Sequence, residues 1–181
     1  HLGIALENAR LYTALQQRAE RIAAINRLTK VISASLDLGA VYQAFAAEVK
    51  RLIPYDRMGV VVRDDSGKGL RMLQLAADQP ITGAVGSLWS GGGATGIEWV
   101  LAHRSPHIEP DLAAARRFEE DETLLREGIR SSVRLPLIAK GEAIGALFLD
   151  STKPHSFGER ELDLLVPLGE QLAIAIENVR L

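Results

Sequence analysis

Cysteine is absent from all 181 residues. That removes disulfides, thiolate metal sites, thioether-linked chromophores and a cysteine nucleophile together. Long apolar runs are missing too: no stretch approaches the ~20 uninterrupted apolar residues of a membrane span. The first residues lack the basic start and apolar run of a signal peptide, so the cytoplasm is the expected compartment. Nor is there an excess of one charge. With 21 Lys and Arg against 23 Asp and Glu, the net charge is −2, which gives no electrostatic footprint for nucleic acid or an anionic membrane. What remains is ample for a core, since 47% of the residues are hydrophobic.

The most conspicuous positive feature is a repeat. The chain opens with LGIALENARL at residues 2–11 and closes with LAIAIENVRL at residues 172–181. A displacement of 170 residues (172 minus 2) is far beyond a solenoid unit of about 20–50 residues, but it suits a whole domain plus its connector. The expectation is one domain of a tandem, with residues 1–36 forming a connecting helix that begins as the last turns of an upstream neighbour. Residues 37–181 then form the domain and its output helix.

From Leu2 to about Leu36 there is no Pro and one Gly. Ile4, Leu11, Leu15, Ile22, Ile25, Ile32 and Leu36 fall on one seam, with Asn8, Arg18 and Thr29 as polar members, which is the a/d pattern of a coiled coil. A helix of that length extends roughly 50 Å, and its seam needs a partner: a second copy or, alternatively, its own domain. Ser35 or Asp37 offers an N-cap for a second helix ended by Pro54. MGVVVR (58–63) and LRMLQLA (70–76) read as an antiparallel hairpin. SSVRLPLI (131–138) and AIGALFLD (143–150) read as another, joined at Lys140-Gly141-Glu142 and apolar enough to be covered on both faces. Ser156 is the expected cap of a last helix, in which Pro167 demands a kink or a restart.

Residues 77–130 are less regular, and loops this long in a compact domain usually carry function. They are expected to contain a short apolar piece at 85–89, a helix near 97–103, a strand at His107 and Ile108, and a charged helix from about Arg117 to Glu127. SGGGATG (90–96) ahead of Ile97 is either a flexible turn into that helix or an anion site at a helix N-terminus. It lacks the Lys and Ser/Thr of a P-loop and the spacing of a dinucleotide-binding turn. His103, His107 and His155 lack paired zinc spacing; packed or exposed imidazoles account for them more simply than ligation. Glu119, Glu120, Asp121 and Glu122 read as a solvated helix face. Trp89, Trp99 and Phe118 flank the same region, as pocket walls or as core.

The succession LIPYDRMGVVVRDD, GATGIEWVLAHRSPHIEPDL and SSVRLPLIAKGEAIGALFLDSTKPHSFGERELDLLVPLGEQLAIAIENVRL resembles a GAF domain over about residues 38–181. The resemblance implies an α+β fold: a central antiparallel sheet of five or six strands, long N- and C-terminal helices on one face, and ligand-side helices and loops on the other. It also implies terminal helices that continue into neighbouring modules and pair across a homodimer. In the PHIEPDL stretch, Asp111 matches a recurrent family segment whose Asp shapes the pocket edge.

The resulting expectation is a non-catalytic sensor in a multidomain signalling protein, a histidine kinase or a cyclic-di-nucleotide enzyme, relaying through a dimeric helical spine. The candidate ligand-binding residues are Trp89, Gly92, Gly93, Thr95, Trp99, His103, His107 and Asp111, with no metal and no catalytic residue. The family's methionine sulfoxide reductase needs cysteines, and its cyclic-nucleotide binders carry an Asn-Lys-Phe-Asp-Glu signature; this chain has neither. No cofactor is named by the sequence, although haem or another non-covalent small molecule stays compatible with it. The alternatives are a ligand-free dimerisation spacer and the effector domain of a transcription regulator.

Overall fold

The computed structural model describes residues 1–34, 37–64, 66, 69–77, 88–90 and 94–180, with five helices and six strands. The strands are β1 (Arg57–Arg63), β2 (Gly69–Ala77), β3 (Leu88–Ser90), β4 (His107–Glu109), β5 (Ser131–Ala139) and β6 (Glu142–Ser151). They form one antiparallel sheet in the order β3-β2-β1-β6-β5-β4. The helices are α1 (Leu2–Ala34), α2 (Leu38–Leu52), α3 (Gly96–His103), α4 (Asp121–Arg126) and α5 (Glu159–Arg180). The expected α+β fold is therefore observed.

Pleat alternation sorts the sheet's side chains into two cores. Val60, Val62, Val133, Leu135, Leu137, Leu147 and Leu149 pack with Phe45 and Val49 of α2 and with Leu165, Leu168, Leu172 and Ile176 of α5. On the other face Val61, Leu70, Met72, Ala146 and Phe148 meet Ile97, Val100 and Leu101 of α3. The β5–β6 turn is two residues long, with Ala139 opposite Glu142, and both Lys140 (φ 50°) and Gly141 (φ 79°) are left-handed. That is the primed turn whose twist matches a hairpin.

Asp37 is the cap of α2, its carboxylate accepting from the Gly39 N–H at 2.9 Å. The α5 cap is a correction, because the Ser156 hydroxyl turns back to Ser151 and to the Lys153 carbonyl. Glu161 instead takes the free N–H of Gly158 at 2.9 Å. Helix α5 does not restart at Pro167. The ring costs one rung, and the carbonyl it frees belongs to the solvent-facing Asp163. The charged helix is shorter than expected, starting at Asp121 rather than near Arg117. The reason is local: the Asp121 carboxylate accepts from the N–H groups of Arg117 and Phe118 at 2.8 and 2.9 Å, holding those residues in a turn. Of the expected 85–89 piece, residues 85–87 lie outside the described residues.

Helix α1 behaves as two parts. Ala24 and Leu28 are buried with Ile25 packed beside them against the domain. Arg27 Nε donates to Glu48 of α2 at 3.0 Å, and this hydrogen bond holds the Glu48 carboxyl below the ordinary glutamate range. Upstream, Leu2, Ile4, Leu6, Leu11, Tyr12, Leu15 and Ile22 are all exposed. The seam thus splits at Ile25, whose face turns toward its own core; Ile32 and Leu36 contribute no described side chain.

The centre of the sheet is a tight fit at two glycines. A Cβ on Gly59 would sit 2.2 Å from the Phe148 ring, and one on Gly145 would sit 2.2 Å from the Val61 carbonyl oxygen. Because a backbone atom cannot swing aside, Gly145→Ala is expected to cost about 1–3 kcal/mol in urea unfolding. Gly3→Ala, with nothing within 4 Å, should shift stability by less than about 0.5 kcal/mol.

Candidate functional site

Strand β5 carries one charged residue among apolar neighbours. Val133 and Leu135 point to the α5 core, so Arg134 between them points to the α3 face, where its side chain is only 3% exposed. An ionised guanidinium so deep must be compensated. Its Nη2 donates to Asp121 Oδ1 at 3.0 Å and lies 3.4 Å from Glu120 Oε1. Asp121 is itself fully buried. The guanidinium also stands 5.2 Å from the Phe118 ring centroid.

Helix α3 closes over this group. Thr95 and Glu98 form a reciprocal capping box, with Glu98 N–H to Thr95 Oγ1 at 3.2 Å and Thr95 N–H to Glu98 Oε2 at 3.3 Å. The next free N–H, that of Gly96, donates to Glu120 Oε1 at 2.7 Å. A Cβ at Gly96 would lie 2.7 Å from Arg134 Cδ, so glycine is what lets the helix start directly above the arginine. Burial pushes the Glu120 carboxyl above the ordinary glutamate range, against the pull of Arg134 and the Gly96 N–H. Arg134 Nη1 and Glu120 Oε2 are buried and have no hydrogen-bond partner among the described residues.

From Phe118 a row of rings leads outward. Phe118 and His107 meet edge-on at 5.1 Å, His107 and Trp99 at 5.1 Å, and Trp99 stacks on His103 at 4.1 Å. His107 Nε2 lies 2.6 Å from Glu109 Oε1, and His103 Nδ1 lies 2.9 Å from the Trp99 carbonyl.

The structure therefore brings Trp99, His103 and His107 together, chiefly against one another, with Thr95 at the opposite end of α3. Asp111 stands apart: its two oxygens lie 3.0 Å from Arg130 Nε and Nη2, and one accepts from Ala113 N–H. Burial opposes ionisation there, but the Ala113 N–H and Arg130 outweigh it and hold the carboxyl below the aspartate range. Trp89 lies on β3, at the opposite edge of the sheet from His107 on β4; five inter-strand steps of ~4.8 Å separate those strands. Gly92 and Gly93 lie outside the described residues.

One expectation is overturned. Glu119 and Glu122 are exposed, but Asp121 is fully buried and Glu120 half-buried. They form the counter-charge of Arg134, not a solvated face. Arg134 and Glu120 were missed as site residues, although a charge at an inward position of an apolar strand was there to be read.

The GAF domain family matches residues 35–177. This chain belongs to that family. Among solved structures it is similar to the GAF domain of a two-component sensor histidine kinase from Bacillus halodurans, with 19% identity and a TM-score of 0.71, covering 81% of this chain and 97% of that one. The GAF domain of a phosphoenolpyruvate-protein phosphotransferase from Coxiella burnetii is 21% identical, with a TM-score of 0.75 and coverages of 90% and 95%. The phycoerythrobilin-bound GAF domain of a cyanobacterial phytochrome is 20% identical, with a TM-score of 0.73 and coverages of 90% and 97%. No curated protein matches the sequence significantly.

In this GAF domain the buried pair sets the energetics of the α3 face. Asp121→Asn, which strips the close counter-charge from a buried guanidinium, should cost about 3 kcal/mol in chemical denaturation. Asp111→Asn, at a partly exposed pair, should cost less than about 1 kcal/mol. Glu120 titrates higher folded than unfolded, so the folded state holds the extra proton and stability falls as pH rises above the ordinary glutamate range. Glu120→Gln should abolish that decline, as urea unfolding at a series of pH values would show.

Proposed function

We propose that this GAF domain is a non-catalytic sensory module of a multidomain signal-transduction protein. It binds a small ligand on the α3 face and reports through helices that pair between two copies. Likeness to the Bacillus halodurans kinase domain favours a sensor histidine kinase as the parent.

The observation that carries this reading is the different fate of the repeated decapeptide. In α5, Leu172, Ala173, Ala175 and Ile176 are buried against the domain. Their counterparts Leu2, Gly3, Ala5 and Leu6 at the start of α1 are exposed, Leu2 to 85%. Closely matching letters serve as core at one end and stand bare at the other, which is what a helix does when its first turns belong to a neighbouring domain of like fold. Further along, Leu11 and Leu15 are 57% and 65% exposed on the heptad seam, the pattern of a surface that pairs with its own copy. The docked lower end of α1 touches both α2 and α5, with Thr29 Oγ1 3.5 Å from Gln171 Oε1.

Native mass spectrometry reads both parts of the proposal. The expected species has twice the protomer mass, with a small molecule retained on each protomer. Leu11→Lys combined with Leu15→Lys should halve the mass while leaving the circular dichroism of the domain unchanged. A double variant that stays dimeric would remove the helical pairing, and a ligand-free mass for protein purified from its own cells would remove the sensing.

A further inference from the structure

The α3 face holds an ion pair that is only half used. Its inner atoms are engaged: Arg134 Nη2 donates to Asp121 at 3.0 Å, and Glu120 Oε1 accepts from Gly96 at 2.7 Å. The remaining two, Arg134 Nη1 and Glu120 Oε2, are buried without partners among the described residues. Leaving a buried polar atom unpaired is costly, and more so when it belongs to a charged group. Two such atoms on adjoining side chains amount to an unmet demand for one acceptor and one donor.

Charge decides what can meet it. Arg134 is already balanced by Asp121 at 3.0 Å, and Glu120 places a second carboxylate 3.4 Å from the same Nη2. An anion added here would bring a third negative group to a single guanidinium. A cation would face Arg134 at short range in a region of low dielectric. A neutral group carrying both an acceptor and a donor would satisfy the two orphans at no charge cost, and the Phe118 ring beside the guanidinium offers a flat apolar flank.

We propose that Arg134 and Glu120 recognise a neutral amide-type edge, that of a carboxamide, lactam or nucleobase. Its carbonyl accepts from Arg134 Nη1, and its N–H donates to Glu120 Oε2. This assignment rests on the sensor reading above and names the ligand class for it.

Benzamide, benzoate and benzamidinium present one shape in neutral, anionic and cationic form, and titration of each into the 15N-labelled protein tests the assignment by NMR. Benzamide at millimolar concentration should shift the Gly96 amide and Arg134 Nε–H signals in a saturable way, with the two ions leaving them in place. Glu120→Gln keeps a carbonyl for the Gly96 N–H, so the fold survives, but it brings a competing donor to the Oε2 position. It should weaken benzamide about fivefold, the worth of one hydrogen bond. Preference for benzoate or benzamidinium at these signals would overturn the assigned class and leave the sensor reading standing. Unchanged benzamide affinity in Glu120→Gln, or silence from all three probes, would overturn the assignment as well, because ordered water would then satisfy the two atoms. The sensor reading is judged separately by the retained ligand.

Discussion

One buried positive charge organises the α3 side of this molecule. Removing a guanidinium from water costs several kcal/mol even after relaxation, and Arg134 lies in the middle of an otherwise apolar strand. Asp121 must therefore be fully desolvated beside it, and its second oxygen is tied down by two backbone N–H groups. That fixes where α4 begins. Glu120, next in the chain, reaches the first N–H of α3, and the absence of a side chain at Gly96 lets that helix close over the arginine. Two separate helices, α4 and α3, are thus placed by the needs of one side chain.

The same strand serves both faces. Because side chains alternate along a strand, Arg134 belongs to the α3 side while Val133 and Leu135 belong to the core beneath α5. Gly169 lets α5 lie so close to β5 that a Cβ there would be 3.0 Å from Leu135 Cδ1. Close-packed interiors transmit displacement rather than absorb it. Arg134 is thus one residue away from Leu135, the side chain on which the long C-terminal helix rests.

Much of the scaffold was legible from periodicity. The two hairpins, the cap at Asp37 and the long terminal helices follow from local rules that packing here reinforces, and the apolar runs at 131–138 and 143–150 do lie covered on both faces. Local rules failed where tertiary electrostatics took over. Helix α4 starts late because Asp121 spends its carboxylate on the preceding turn, and Ser156 gives up its cap role to a bond with Ser151. The polar centre is hidden from local rules: the run from Glu119 to Glu122 looks solvated in one dimension, and only folding places its two middle members, Glu120 and Asp121, against an arginine carried by strand β5. Trp89 and His107 seemed neighbours for the converse reason. Nearness in a loop-rich segment says nothing about strand order, which puts them at opposite margins of the sheet.

Pro167 has a mechanical corollary. A helix owes its bending stiffness to an unbroken ladder, and here one rung is missing where Asp163 would have received a proton donor. Compliance is concentrated at that level, between the anchored turns that follow Gly158 and the stretch from Leu168 to Ile176 that rides on β5. The hydrogen-bond ladder of this continuous helix is therefore interrupted near its mid-length. Its far half, from Leu168 to Ile176, is packed in the core, so a displacement of β5 would meet the helix just beyond the level of the missing rung.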